Sequence, residues 1–155
     1  MNILVSACLL GVNCKYDQGN NFQERVARLK EKYHLIPVCP EIMGGLSTPR
    51  IPAEVCGKRV VMKDGTDVTC QFENGAKEAW KLAEMFDCRY AILKEKSPSC
   101  GNGQIYDGTF TKTLTHEDGV TAKFLKEHGI CVLGEKDPSL ESLLEKGNEN
   151  ETKDC

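Results

Sequence analysis

The stretch "RYAILKEKSPSCG" (residues 89–101) joins a continuous apolar run to a polar loop that contains two serines, a proline and a cysteine. Because the apolar run does not alternate with polar residues, it indicates a strand covered on both faces, as in a parallel sheet. A structural cysteine usually packs inside such a run, whereas Cys100 lies beyond its end. The loops that follow the strands are therefore the first place to look for function.

Three further apolar runs rich in β-branched residues occur along the chain, and amphipathic helical patterns separate them. Alternating strands and helices are typical of βαβ units. We therefore predict an α/β fold that is Rossmann-like, with a mainly parallel sheet and helices on both faces. The predicted strands are residues 2–7, 35–39, 89–94 and 129–133, and the predicted helices are residues 22–32, 73–85 and 120–128.

The segment "KRVVMKDGTDVT" (residues 58–69) has two β-rich flanks around Asp-Gly and predicts a small accessory β-hairpin. A chain of 155 residues suits one compact unit. We predict a single domain over residues 1–146. The remaining residues 147–155, "GNENETKDC", are polar and lack periodicity, so a flexible C-terminal tail is expected.

Charge and hydropathy argue against two classes of partner. Lysine and arginine number 20 against 23 aspartates and glutamates, giving a formal net charge of -3 and no general attraction to nucleic acid. The apolar N-terminus lacks a preceding basic region and a small-residue cleavage site, and no run approaches the roughly 20 apolar residues of a membrane span. We expect a cytoplasmic protein with no membrane and no nucleic-acid partner.

Nine cysteines are many for this length, but an odd number with irregular spacing does not indicate a secreted disulfide framework. Cys70, Cys88 and Cys131 lie in or beside predicted elements, where core packing is expected. Cys56 fits either a core or a functional position. Cys155 is expected to be a free thiol in the tail.

The remaining cysteines follow strands. Cys8 follows the first, Cys39 ends the second and Cys100 follows the third. Ligands of open parallel sheets bind beyond the carboxyl ends of the strands, and thiolates suit zinc and iron-sulfur clusters. We favour a metal or cluster site over three unrelated small hydrophobic residues. Cys14, in C-x5-C spacing from Cys8, is either a fourth ligand or a buried thiol nearby.

Three long motifs closely resemble the DUF523 family, which includes the thiouracil desulfurases. They are "VSACLLGVNCKYD" (residues 5–17), "PVCPEIMGGLSTPRIPAE" (37–54) and "ILKEKSPSCG" (92–101), and the resemblance continues through "IYDGTF" and "DGVTAKFLKEHGI" to about residue 135. One departure is Gln18, which stands where the family more usually has glycine. Glutamine in place of glycine at this position is expected to affect the shape of the first loop.

The resemblance implies an oxygen-sensitive [4Fe-4S] cluster held by Cys8, Cys39 and Cys100, with one iron open to the substrate sulfur. It also implies catalytic roles for Glu41 and Ser97. The expected reaction is the non-redox removal of sulfur from a small thiolated pyrimidine such as thiouracil, giving uracil and hydrosulfide. Without the resemblance, Glu41 would be interpreted as a helix cap after Pro40 and Ser97 as a turn residue.

The position of Glu41 in the resembling motif implies that it acts as general base on a water. The position of Ser97 implies that it orients the substrate or passes a proton. Two other hypotheses remain open. One is a non-catalytic zinc module with four thiolates, the ligands being Cys8, Cys14, Cys39 and Cys100. The other is a metal-free sulfur-transfer enzyme that carries a persulfide on Cys100 or Cys14.

Overall fold

The protein, seen here in a computed structural model, is described over residues 1–146, so the predicted tail and Cys155 lie outside the described residues. Its strands are β1 (Asn2–Ser6), β2 (His34–Val38), β3 (Ala53–Cys56), β4 (Arg59–Met62), β5 (Tyr90–Leu93), β6 (Ile105–Tyr106), β7 (Leu114–Thr115) and β8 (Cys131–Gly134). Its helices are α1 (Glu24–Ala27), α2 (Pro40–Met43), α3 (Thr69–Met85), α4 (Val120–Glu127) and α5 (Ser139–Lys146).

The predicted parallel sheet is confirmed. Four strands pair in the order β2-β1-β5-β8, and every pairing is parallel. The chain places β2 on one side of β1 and then crosses to place β5 and β8 on the other side. All four carboxyl ends therefore lie at one edge, with the switch in strand order between β1 and β5.

Helices cover both faces of the sheet, as predicted, because alternate residues of each strand point to opposite sides. Leu4 packs in a buried cluster with residues of α3 and α4. Its neighbours Ile3 and Val5 pack in a second cluster with α1 and α5. The continuous apolar runs of the sequence thus reflect strands that are buried on both sides.

The accessory hairpin is confirmed, but its main ladder lies earlier in the chain than predicted. The ladder pairs β3 with β4 and turns at Gly57, whose φ of 62° is in the left-handed region that favours glycine. Around the predicted Asp-Gly turn an antiparallel bridge joins Val61 to Asp67, with backbone hydrogen bonds on either side of it. The predicted second flank starts a helix instead, since Thr69 donates both its N–H and its hydroxyl to Asp67 Oδ1 at 2.9 and 2.6 Å.

The helical predictions differ in extent. The segment predicted as helix 22–32 is α1 followed by a 3-10 turn at Arg28–Glu31, and α3 begins at Thr69 rather than at residue 73. The third predicted helix corresponds to α4. Neither α2 nor α5 was predicted; α2 has only four residues, too few to display a period.

Two glycines allow the backbones of α2 and α3 to pack in close contact, which fixes α2 against α3. A Cβ atom on Gly44 would lie 1.9 Å from the carbonyl oxygen of Gln71, and one on Gly75 would lie 1.9 Å from the carbonyl oxygen of Pro40. The backbones can approach this closely only without side chains. The loop that follows β2 is therefore held rigidly on the long helix α3.

None of the helices within residues 1–146 combines the length and the apolar character that crossing a bilayer requires.

Candidate active site

A cavity of about 380 Å³ opens at the carboxyl edge of the sheet, between the loops that follow β1, β2 and β5. This is the location that strand order predicts for a ligand site. The candidate residues from three separate loops all border it. Its lining includes Cys8, Cys14, Cys39, Glu41, Ser97 and Cys100.

Cys8 is fixed in the 3-10 turn Ala7–Leu10 that directly follows β1. The backbone N–H of Asn21 donates to the Cys8 carbonyl oxygen at 2.9 Å, which ties the long first loop back to this turn. Burial raises the pKa of the Cys8 thiol, while the Asn21 side chain and the Lys94 ammonium lower it. The sulfur is therefore partly buried and faces two polar groups that stabilise its anionic form.

Cys39 occupies the position just before α2, where the helix presents its N-terminal N–H groups. Its sulfur lies 3.8 Å from the carbonyl oxygen of Cys14. A hydrogen bond between the two thiols lowers the pKa of Cys39 and raises that of Cys14. Of this pair, Cys39 carries the thiolate and Cys14 keeps its proton.

The loop that carries Cys100 is anchored by the start of α4. The N–H groups of Val120 and Thr121 donate to the carbonyl oxygens of Pro98 and Ser99 at 3.0 and 2.8 Å, and Ser99 and Thr121 share a hydroxyl hydrogen bond of 2.8 Å. The first N–H groups of a helix lack partners within the helix, and here the loop supplies them. The cysteine loop is therefore as rigid as the helix that it caps.

Cys100 itself is deeply buried, with 5% of its surface exposed. Burial raises the pKa of its thiol to about 12, although the hydroxyl of Ser6 acts in the opposite direction. Such a thiol is unreactive as a free nucleophile. Binding of a metal centre is what would make it a thiolate.

Glu41 forms an ion pair with Arg50, whose Nε lies 3.3 Å from Glu41 Oε1. The Arg50 side chain is only 5% exposed, and it also donates to the carbonyl oxygen of Cys14 at 2.9 Å and to Thr48 Oγ1 at 2.8 Å. Burial raises the pKa of the Glu41 carboxyl, and the guanidinium opposes that rise. The carboxylate therefore bonds Arg50 and does not cap α2.

Ser97 has the turn geometry expected before proline, and it also borders the cavity. Its Oγ accepts hydrogen bonds from the N–H groups of Ser99 and Cys100 at 3.2 and 3.1 Å. These two contacts use the lone pairs of the hydroxyl, so its single proton is left to donate elsewhere. The two interpretations of Ser97, turn residue and proton donor, are compatible.

Gln18 stands at a backbone position suited to glycine. Its φ is 68°, in the left-handed region, and its N–H donates to the carbonyl oxygen of Lys15 in a tight turn. The glycine that the resembling family has here would adopt this conformation without a steric penalty. The departure changes the strain of the turn and not its course.

The other cysteines lie away from the cavity. Cys88 is buried in the core and Cys131 packs against the second apolar cluster, as predicted. Cys70 is exposed, so its predicted core position was wrong. It precedes Phe72, the first inward-facing residue of α3, and points to the other side of the helix. Cys56 is exposed at the end of β3.

The donor set suits a cluster better than a single ion. Within residues 1–146, no group of three or more cysteine, histidine or acidic side chains is close enough to hold one metal ion. Yet four thiols border one cavity. Thiolates are the ligands that iron-sulfur clusters use, so the donor chemistry of this cavity fits a [4Fe-4S] group.

Sequence reasoning missed several side chains that shape the site. Arg50 and Lys94 were visible in their motifs, but nothing in the sequence indicated that Arg50 bonds Glu41 or that Lys94 faces the cavity. The one available signal was position, since Lys94 follows a buried strand directly at the ligand-binding edge. Nothing in the sequence indicated that Asn21 is part of the site.

Known proteins resemble this chain over most of its length. It is 39% identical over 145 residues to the uncharacterized protein YbbK of Bacillus subtilis (strain 168), covering 87% of this chain and 96% of that protein. Its fold matches the solved structure of the [4Fe-4S]-dependent thiouracil desulfidase TudS with a TM-score of 0.85 and 42% identity, over 92% of this chain and 94% of that one. The sequence pattern of the 2-thiouracil desulfurase family matches residues 3–137. This chain therefore belongs to the 2-thiouracil desulfurase family.

Proposed function

We propose that this protein is a desulfurase that removes the sulfur of a small thiolated pyrimidine such as thiouracil, giving uracil and hydrosulfide. The observation that carries the proposal is the convergence of three strand-end thiols with a buried glutamate on one cavity. Membership of the 2-thiouracil desulfurase family and the 42% identity to TudS support the same reaction.

Cys8, Cys39 and Cys100 would hold a [4Fe-4S] cluster as its three protein ligands. They come from three loops at one sheet edge, and thiolates are the ligands that iron-sulfur clusters use. When bound, such a cluster supplies a Lewis-acidic iron with affinity for a soft thiocarbonyl sulfur. Cys14 would remain outside the ligand set, since it lies beyond the 3-10 turn that follows β1 and not at a strand end.

Glu41 is the general base in this proposal. A water attacks the ring carbon that bears sulfur, and the Glu41 carboxylate takes a proton from that water. Burial raises the pKa of the carboxyl, which makes its anion a better base than an exposed glutamate. Arg50 keeps the carboxylate ionised and aimed by its 3.3 Å contact.

Ser97 donates a hydrogen bond to the substrate through its free hydroxyl proton and keeps that proton. The two N–H groups that donate to its oxygen fix the hydroxyl, so this hydrogen bond has a defined direction. Over the whole reaction a C=O bond replaces the C=S bond, and sulfur leaves with the electrons of the broken bond. One proton of the attacking water ends on hydrosulfide, and the other, taken up by Glu41, is released. No net electron transfer occurs.

The two other hypotheses fit the geometry less well. A structural zinc site requires ligands around one ion, and the described residues offer no such group. A persulfide carrier requires an accessible thiol of lowered pKa. Cys100 and Cys14 are 5% and 4% exposed, and burial contributes to a raised pKa in both.

The test is turnover of thiouracil by protein purified without oxygen. Wild type is expected to form uracil and hydrosulfide in equal amounts from 2-thiouracil or 4-thiouracil with no added reductant. The Cys88→Ser variant alters a buried cysteine outside the cavity and is the matched control for loss of a ligand cysteine. A strict requirement for a reductant, or activity in a Cys39→Ser variant equal to that of wild type, would contradict the proposal.

A further inference from the structure

Lys94, which borders the cavity beside the candidate ligands, forms an ion pair with the buried Glu135. Lys94 Nζ lies 2.9 Å from Glu135 Oε1, and the Glu135 side chain is only 3% exposed. Lys94 directly follows β5 and Glu135 directly follows β8, so the pair joins the carboxyl ends of two adjacent strands. The pair therefore stands at the functional edge of the sheet.

Further hydrogen bonds hold both partners in place. The second carboxylate oxygen of Glu135 accepts the N–H of Glu95 at 2.6 Å, and the Lys94 ammonium donates to the carbonyl oxygen of Glu95 at 2.8 Å. An ammonium group has three N–H donors, and these contacts use two of them. The third is available to a group inside the cavity, which Lys94 borders.

Lys94 lies at the cysteine edge of the cavity, whose lining also includes Cys8, Cys39 and Cys100. A buried ion pair adds little stability over apolar residues of similar size, so its value here is the placement of a charge. The roles given above to Glu41 and Ser97 assign no hydrogen-bond donor of the protein to the departing sulfur.

We infer that the Lys94 ammonium, held in place by Glu135, donates a hydrogen bond to the substrate sulfur and stabilises the hydrosulfide anion as the C–S bond breaks. The inference rests on the proposed desulfurase function. Water supplies the oxygen that replaces sulfur, the C–S electron pair stays on sulfur, and Lys94 keeps its proton throughout. Lys94 is thus the group that contacts the leaving atom, and Glu135 is a positioning residue.

Hydrosulfide binding tests this role separately from turnover. Cluster-loaded protein is titrated with sodium hydrosulfide without oxygen and without thiouracil, and the visible absorption of the cluster reports the dissociation constant. Lys94→Met is expected to weaken hydrosulfide binding by about tenfold or more, since a charge-assisted hydrogen bond is lost. Lys94→Arg keeps the charge and is expected to retain most of the affinity.

The controls separate this role from folding. Lys126→Met breaks another lysine–carboxylate pair of 2.9 Å, with Asp118, away from the cavity, and is expected to leave hydrosulfide affinity unchanged. Because Lys94→Met leaves Glu135 as an unpaired buried carboxylate, the Lys94→Met/Glu135→Gln double variant removes both charges. It is expected to fold with full iron content and to show the same weak binding as the single variant.

Each other result has a defined meaning. Wild-type hydrosulfide affinity in the double variant, or no binding of hydrosulfide by wild type, overturns the inference even if thiouracil is turned over. Loss of iron in the double variant also overturns it, because Lys94 would then serve only to hold Cys8. Failure of wild type to release uracil, with hydrosulfide binding and its dependence on Lys94 intact, counts against the desulfurase function and not against this contact.

Discussion

Gly75 in α3 lies directly against the carbonyl group of Pro40, the first residue of α2, so that a Cβ atom at position 75 would stand 1.9 Å from that oxygen. Since α2 carries Glu41 and follows Cys39, this contact sets the position of both. Gly75→Ala is expected to destabilise the fold by about 1–3 kcal/mol through overpacking and to reduce iron content. Denaturant unfolding and iron analysis measure the two effects.

Asn74→Ala is the matched control for Gly75→Ala, because Asn74 is an exposed residue of the same helix. Both substitutions introduce alanine, which favours helix formation. A stabilised Gly75→Ala protein with full iron content would show that α2 is free to move away from α3.

Glu41→Gln removes the proposed base but keeps the size of the side chain. Turnover of thiouracil is expected to fall by about 10²-fold or more, the usual contribution of a general base. The visible spectrum of the cluster is expected to stay unchanged, since Glu41 is not a proposed ligand. Normal turnover in this variant would remove Glu41 as the base.

Arg50→Met leaves the Glu41 carboxylate and the Cys14 carbonyl without the guanidinium that bonds them. Breaking a buried ion pair by removing one partner lowers the free energy of unfolding by about 3–5 kcal/mol. A slightly smaller loss is expected for Arg50→Met because the Glu41 side chain is 19% exposed. Arg50→Lys is expected to recover only part of this loss, because a lysine cannot bond several partners in a planar fork. A free energy of unfolding for Arg50→Lys equal to that of wild type, measured in urea, would mean that charge alone matters.

Cys14 distinguishes a three-cysteine site from a four-cysteine site. Cys14→Ser is expected to retain its iron because Cys14 lies outside the proposed set of three ligands. Most of the iron is expected to be lost from each of the three ligand variants, Cys8→Ser, Cys39→Ser and Cys100→Ser. Iron per chain after anaerobic purification compares the four variants. Loss of iron from Cys14→Ser as complete as from Cys8→Ser would favour four ligands.

Gln18 offers a stabilising substitution. Because its φ is 68°, Gln18→Gly is expected to raise the free energy of unfolding by about 0.5–1 kcal/mol through release of backbone strain. Gln18→Ala keeps the strain and is expected to give no such gain. A Gln18→Gly protein that is less stable than wild type would show that the glutamine side chain contributes more than its backbone costs.

The sequence was sufficient to predict the sheet and the convergence of the three cysteine loops, because apolar runs mark buried parallel strands and their carboxyl ends share one edge. The hairpin was misplaced because the hydrogen bonds from Thr69 to Asp67 start a helix where a strand was expected. Pairs such as Glu41 with Arg50 could not be predicted, since they depend on loop paths that no local pattern specifies. The exposure of Cys70 likewise depends on where α3 begins.

The proposed [4Fe-4S] cluster is tested by measuring iron, zinc and acid-labile sulfide per chain in protein purified without oxygen. About four irons and four sulfides per chain are expected, with no stoichiometric zinc, as one [4Fe-4S] cluster requires. Stoichiometric zinc without iron, or no metal even after anaerobic reconstitution with iron and sulfide, would contradict the presence of this cluster.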